Sequence, residues 1–385
     1  MNKKTVLLLV PSLGVGGQER IALNTAECLS EHYDVRLAIF QKKDIEYECQ
    51  YPVFNLDVPT KAGFWAKVLN QLKRIIKVAR LRRAIGADVV MSFGSTANIT
   101  NAISGLIAPG KSVSAIHGFA EVEKSLSMRS IIGFSDKIVC IAKAMQEKVL
   151  NLFPKCKKTL VIENGYDIDK IIEKSNDNID VVFKHPAIIA MGRLEHVKGF
   201  DRLIKAFAKA KQNCSELNLY ILGQGTLNDE LINLATLTGV SDCVHFLGYR
   251  ENPYAYIAKS DMFVMSSRNE GFPNALIETL ACEIPIISVD CLSGPREILS
   301  AEYSSAPVSG VKEEKYGVLV EENSDDETTI SLLADAIEMM SCSADKANEY
   351  RMHGRKRANQ FSKEVYSNKI TALIEELLFG EKSEK

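Results

Sequence analysis

Met262-Phe263-Val264-Met265 leads through Ser266-Ser267-Arg268-Asn269 into Glu270-Gly271-Phe272-Pro273-Asn274-Ala275-Leu276-Ile277-Glu278. The first four residues are an apolar run short enough for a buried strand. The stretch from Pro273 opens a helix, because proline suits the first helical position, where its missing N–H costs nothing. On a 100° wheel Leu276, Ile277 and Leu280 share one face, while Asn274 and Glu278 share the other. One carboxylate, Glu270, therefore stands in the turn. A second, Glu278, stands one turn into the helix, expected to face away from the core. The helix N-terminus between them presents unpaired N–H groups, which favour an anion. A phosphate site flanked by carboxylates that can bind hydroxyls suits a nucleotide sugar.

Outward from this unit, apolar strands alternate with helical segments. Thr5–Val10, Val35–Phe40, Asp88–Phe93, Ser112–Ile116, Lys137–Ile141 and Thr159–Glu163 read as strands of a first sheet. Ala187–Met191, Leu217–Leu222, Val244–Leu247, Met262–Met265, Pro285–Val289 and Gly317–Val320 read as a second. Alternation of this kind predicts doubly wound parallel sheets. The pattern breaks at residues 164–186, where Asn164-Gly165 precedes a polar run that ends at Pro186, so a linker is expected there. Final helices are expected over about Glu327–Met340 and Glu364–Phe379.

The chain has 385 residues, 46% apolar and 25% charged, which suits two ordinary globular domains. Nine scattered cysteines without a C-x-x-C pair predict reduced thiols in the cytoplasm, with neither a disulfide framework nor a zinc site. Lys3-Lys4 followed by Thr5–Val10 mimics a signal peptide, but the apolar run stops at Pro11, so it reads as a first buried strand. The net charge is −2, unevenly distributed. Residues 1–165 hold 23 Lys and Arg against 14 Asp and Glu, and the remainder 24 against 35. The first half alone is thus expected to approach an anionic surface.

Ser12-Leu13-Gly14-Val15-Gly16-Gly17-Gln18-Glu19-Arg20 follows the first strand. Its glycines let backbone approach a ligand closely, or make a tight turn and nothing more. A dinucleotide site would need an acidic residue after the second strand. Gln41, Lys42 and Lys43 stand there instead. His117 ends an apolar strand, the end at which parallel sheets bind ligands. In Gly192-Arg193-Leu194-Glu195-His196-Val197-Lys198-Gly199, two cations precede a helix, where they can neutralise a diphosphate as charge develops on a leaving nucleotide. Gly223, in Leu222-Gly223-Gln224-Gly225, follows another strand of this half, as does Gly248.

These motifs, in this order and at these strand ends, resemble the retaining glycosyltransferases of family four, with the GT-B fold. The resemblance covers nearly the whole chain. It implies an α/β protein of two Rossmann-like domains facing across a cleft, with a C-terminal helix crossing back. The boundaries expected are 1–165 for an acceptor-binding domain, 166–186 for the linker, 187–358 for a nucleotide-sugar-binding domain and 359–385 for the crossover helix and tail. By resemblance, Glu270 would bind the donor sugar's hydroxyls and steady positive charge at the reacting carbon. Glu278 would take the ribose, and Arg193, Lys198 and the helix N-terminus at Asn274, Ala275 and Leu276 the diphosphate. His117 would touch the donor sugar, Gly16 and Gly17 would face the diphosphate and the acceptor, and Gly223 would lie by the base and ribose. No metal or other cofactor is implied, since these groups do the electrostatic work. Asp167-Ile168-Asp169 matches the metal motif of a different glycosyltransferase fold, but it falls in the expected linker and reads as coincidence.

Asn252-Pro253-Tyr254 and the wording around Glu270 resemble transferases that extend undecaprenyl-diphosphate-linked oligosaccharides with N-acetylgalactosamine or galactose. That implies a UDP-sugar donor, a lipid-linked glycan acceptor and a role in O-antigen or capsule assembly. A nucleotide-sugar epimerase, a transferase with a soluble acceptor and a non-catalytic binding module are the alternatives. No nucleic acid is expected.

A separate signal lies in residues 64–83. Phe64, Trp65, Val68, Leu69, Leu72, Ile75, Ile76 and Ala79 fall on one helical face, and Lys67, Lys73, Arg74 and Lys77 on the other. The apolar face is expected on the core. The basic face is then either merely solvated or a surface for anionic lipid and a lipid-linked acceptor, at the cytoplasmic side of the inner membrane.

Overall fold

The computed structural model describes residues 3–14, 16–43, 47–59, 63–123 and 125–380. Val15 of the glycine loop and the side chain of Phe64 lie outside the described residues. Two compact units divide the chain, one of residues 1–165 with 363–385 and one of 166–362.

The first unit runs β1 (Thr5–Val10), α1 (Gly17–Ser30), β2 (Asp34–Ile39), β3 (Val53–Asn55), α2 (Phe64–Ile85), β4 (Val89–Phe93) and α3 (Ser95–Ser104). It continues with β5 (Lys111–Ile116), α4 (Phe119–Glu123), α5 (Ser125–Phe134), β6 (Lys137–Cys140), α6 (Lys143–Leu152) and β7 (Thr159–Val161). Its seven strands are all parallel in the order β3-β2-β1-β4-β5-β6-β7. Every residue of β1 is buried, as a central strand covered on both faces requires.

The second unit runs α7 (Ile168–Ser175), β8 (Ala187–Met191), α8 (Phe200–Asn213), β9 (Asn218–Leu222), α9 (Asn228–Leu237), β10 (Val244–Gly248), α10 (Tyr254–Ala258) and β11 (Met262–Met265). Then come α11 (Asn274–Ala281), β12 (Ile286–Val289), α12 (Pro295–Leu299), β13 (Val311–Glu314), β14 (Gly317–Val320), α13 (Asp326–Ser341) and α14 (Ala344–Asn359). The order β10-β9-β8-β11-β12-β14-β13 repeats that of the first sheet through its first five strands and then exchanges the last two. A last helix, α15 (Lys363–Phe379), returns to the first unit. There Tyr366, Ile370, Leu373 and Ile374 join the core, and the Tyr366 and Thr25 hydroxyls meet at 2.6 Å.

The structure departs from expectation in several places, each with a local reason. The stretch read as a linker carries α7, packed on α10 and α11. Asp167 is the N-cap of that helix, its carboxylate accepting from the Lys170 N–H at 3.1 Å, which accounts for the Asp-x-Asp pattern. Strands β3 and β13 are short, and β13 pairs antiparallel with β14. Neither carries an apolar run to announce it. Helix α14 was also silent, because only Tyr350, Gly354 and Ala358 of its 16 residues are buried.

Helix α2 reverses the expected faces. Ile75, Val78 and Ala79 do pack inward, but together with Asn70, Arg74 and Arg82. Trp65, Val68, Leu69, Leu72 and Ile76 face solvent. The buried face is turned by roughly a third of a turn from the apolar stripe. Arg74, expected on the basic outer face, is buried over the Phe40 ring and donates to the Val58 carbonyl at 2.8 Å. Lys67, Lys73 and Lys77 are exposed as expected. Among the described residues no helix is long and apolar enough to cross a membrane.

Candidate active site

In the second sheet β8 lies between β9 and β11, so the chain leaves β8 and β11 on opposite sides of the strand-order reversal. Open parallel sheets bind ligands at the strand ends beside such a point. The loops there are residues 192–199 and 266–273, the two most densely marked stretches of the sequence.

Glu270 sits at their meeting point. Its Oε1 accepts from Lys198 Nζ at 2.6 Å and from Ser267 Oγ at 2.6 Å. The two charged side chains are 23% and 12% exposed for Lys198 and Glu270, so the pair is shielded yet open on one side. Gly199 makes the approach of the loops possible. Its φ is +65°, and a Cβ there would stand 2.1 Å from the Ser266 carbonyl oxygen. Gly223 is equally constrained, with φ +144° and a hypothetical Cβ 1.8 Å from the Gly192 carbonyl oxygen.

Behind this pair lies a charged frame that the sequence did not reveal. Arg268 donates from its backbone to Val197 O at 2.9 Å and from Nη1 to His196 O at 2.8 Å. Its guanidinium also holds Asp201 at 2.7 Å and Asp326 at 2.6 Å. Arg202, nearly fully buried, grips Glu322 at 2.7 Å and Asp326 at 2.8 Å. Hydrogen bonds from Arg202, then from Arg268, hold the Asp326 carboxyl down at about 2 against burial. Arg268 thus binds the loop bearing Lys198 to the loop bearing Glu270. No periodicity signals it, because Asp201 and Asp326 lie 67 and 58 residues away.

The other expected residues are placed less uniformly. Pro273 is the N-cap of α11 and not its first residue. The Leu276 N–H donates to Pro273 O at 3.1 Å and its side chain is core, so Leu276 offers nothing to a ligand. The N–H groups of Asn274 and Ala275 have no acceptor among the described residues, and they keep the helix start suited to an anion. The Asn274 side-chain Oδ1 accepts from Tyr166 Oη at 2.6 Å. Glu278 does not face away from the core as expected. It is 5% exposed, and Tyr254 Oη donates to it at 3.2 Å. The physical cause is that α11 is covered all round, every residue from Leu276 to Ala281 being buried. Arg193 is not drawn into the cluster. Its side chain is 71% exposed and pairs with Glu195 at 2.9 Å. Cys291, which drew no attention in the sequence, is buried near Glu270 and Lys198, and burial first, with Glu270 adding, holds its thiol well above the ordinary range.

In the first unit β1 lies between β2 and β4, and the glycine loop follows β1. Gly16 is the N-cap of α1, its carbonyl accepting from Arg20 N at 3.1 Å. A Cβ on Gly17 would meet nothing within 4 Å among the described residues. His117 follows β5. Its Nε2 is enclosed without a partner, and burial pulls the imidazole down to about 4, so it is neutral at pH 7. Its backbone N–H donates to Glu121 Oε1 at 3.3 Å. The other oxygen, Oε2, accepts from Asn98 Nδ2 at 3.2 Å, and Asn98 Oδ1 accepts from Ser92 Oγ at 2.8 Å. Polar residues interrupting the apolar pattern, Ser92 in β4 and Asn98 in α3, were the available sign of this buried chain.

A family model described as glycosyl transferases group 1 matches residues 172–357, and one described as Glycosyltransferase Family 4 matches residues 15–170. The chain belongs to these glycosyltransferases. An N-acetylgalactosamine-N,N'-diacetylbacillosaminyl-diphospho-undecaprenol 4-alpha-N-acetylgalactosaminyltransferase of Campylobacter jejuni is 29% identical over 330 residues, 82% of this chain and 85% of the relative. An uncharacterised glycosyltransferase of Methanocaldococcus jannaschii is 30% identical over 271 residues, 64% of this chain and 67% of the relative. Among solved structures, Anabaena HepE in complex with UDP superposes with a TM-score of 0.74 at 20% identity, over 96% of this chain and 99% of that one. The two units are those of the GT-B glycosyltransferase plan.

Proposed function

We propose that this glycosyltransferase moves a hexose or N-acetylhexosamine from a UDP-sugar to a lipid-linked oligosaccharide, retaining the anomeric configuration. UDP-N-acetylgalactosamine and UDP-galactose are the first donors to test. An undecaprenyl-diphosphate-linked glycan of bacterial surface polysaccharide assembly is the first acceptor. The observation that carries this reading is the shielded Lys198–Glu270 pair, 2.6 Å apart, next to the open N–H groups of Asn274 and Ala275. The name of the Campylobacter relative supports the donor and acceptor class.

In this reading Lys198 and the α11 N-terminus take the diphosphate, and Arg193 joins them by leaving Glu195. Glu270 holds donor hydroxyls and offsets positive charge at the anomeric carbon as the bond to the diphosphate breaks. Glu278 takes the ribose. His117, neutral, donates or accepts one hydrogen bond to the sugar and abstracts no proton, while Gly16 and Gly17 face the diphosphate and the acceptor and Gly223 lies by the base and ribose. The reaction is proposed to run without a metal, at the cytoplasmic face of the inner membrane.

The test is a screen of UDP- and GDP-sugars with the purified protein, each with and without a synthetic prenyl-diphosphate glycan, and product configuration read by NMR. Transfer from UDP-N-acetylgalactosamine or UDP-galactose with an α-linked product is expected. Turnover of GDP-sugars alone would overturn the donor, and a β-linked product the retention. Donor conversion without acceptor would mean an epimerase.

A further inference from the structure

Helix α2 buries polar groups and exposes apolar ones. Asn70, Arg74 and Arg82 are no more than 7% exposed, while Trp65, Leu69, Leu72 and Ile76 are 75, 56, 52 and 46% exposed. The buried groups are held: Asn70 donates to Pro59 O, Arg74 to Val58 O and Arg82 to Ser112 Oγ, each at 2.8 Å. Rotating the helix to hide the stripe would strip these buried donors of their acceptors, a cost that burying the stripe does not recover. The stripe is therefore locked outward.

Lys73, Lys77 and Arg80 run along one edge of it, and Arg83 ends it. None of the four has a carboxylate partner among the described residues, although Lys77 and Arg83 also reach the carbonyls of Leu56 and Ile107. The helix contains no acidic residue. A second copy could cover the stripe, but a two-fold contact sets like surfaces against each other, and here it would oppose four cations with only Asp57 lining the same concavity to offset them. An anionic bilayer satisfies both features at once, acyl chains for the stripe and headgroup phosphates for the cations.

We infer that α2 is the membrane-docking element of this protein. It lies in the plane of an anionic bilayer surface with Trp65, Leu69, Leu72 and Ile76 sunk to the acyl boundary. This differs from a purely electrostatic contact through the basic face. The inference deepens the lipid-linked acceptor reading, and its test measures binding and not turnover, so each can fail alone.

Trp65 is the only tryptophan of the chain, so its fluorescence reports on this helix without labelling. With phosphatidylglycerol vesicles at low salt, Trp65 emission is expected to shift to the blue and to be quenched by brominated acyl chains. Phosphatidylcholine vesicles should bind at least about tenfold less. Leu69→Ser and Leu72→Ser should each weaken partitioning by about tenfold with the melting temperature little changed, since both side chains are more than half exposed. Unchanged Trp65 emission with no cosedimentation would overturn the inference, as would equal binding to both lipids. A concentration-dependent dimer abolished by Leu69→Ser, with no lipid binding, would assign the stripe to a second copy.

Discussion

The two units share the order of their first five strands and differ in what they place at its reversal. In the second unit the loops after β8 and β11 carry Lys198, Glu270 and Arg268, and Arg268 is held by Asp201 of α8 and Asp326 of α13, with separations of 2.6–2.7 Å. In the first, the loops after β1 and β5 carry glycines and a neutral histidine. One unit is equipped to hold charge, the other to give shape and space. The shared reversal therefore marks the same strand ends in both units but does not fix which residues stand there.

Removing the charge should break this contrast most severely. Glu270→Gln and Lys198→Ala are each expected to lower kcat by about 100-fold or more, because they remove preorganised charge at the reacting centre. Single-turnover rates check this, and a loss below threefold in either would shift the chemistry elsewhere. Arg268→Ala should cost about tenfold in kcat/KM by letting the two loops part. Arg268→Lys, which keeps the charge but not the fork that spans Asp201 and Asp326, should restore little. Full activity of the lysine variant would mean that the frame is only structural.

Smaller effects sharpen the first unit's role. The folded-state value of His117 is about 4 and its ordinary value is 6.5. The unfolded chain therefore takes up the proton first as pH falls, so stability is full above 6.5 and is lost progressively down to about 4. His117→Asn should flatten the melting profile across that window, by at most about 3 kcal/mol. Its turnover should fall without a change in the shape of the pH–rate profile, since no proton is moved by the ring. Arg193→Ala should raise the donor KM about fivefold with kcat nearly kept, because an exposed cation already paired with Glu195 contributes little. Excess EDTA should leave the rate unchanged.

Much of the fold was readable because parallel strands buried on both faces are near-continuous apolar runs, as Thr5–Val10 and Ala187–Met191 are. Short or charged elements, β3, β13 and α14, carry no such signature. At the site, Glu270 and Lys198 stood out by motif and do meet. Arg268 did not stand out, since Asp201 and Asp326 come from distant stretches of chain, and Cys291 did not because a single buried cysteine carries no motif. Glu278 and Arg193 also stood out by motif, but the burial of one and the exposure of the other did not.

The sequence by itself determined the alternation of strands and helices, the position of the glycines that allow close loop contact and the identities of the charged residues after β8 and β11. Those properties are local or periodic. Only the tertiary structure decided that Glu278 is buried, that Arg268 ties two loops together and that α2 turns its apolar stripe to solvent. Each of these depends on which neighbour covers a face. A helical wheel reports that a face is apolar, but packing alone decides whether that face meets the core, and in α2 the hydrogen bonds of Asn70, Arg74 and Arg82 decided against it.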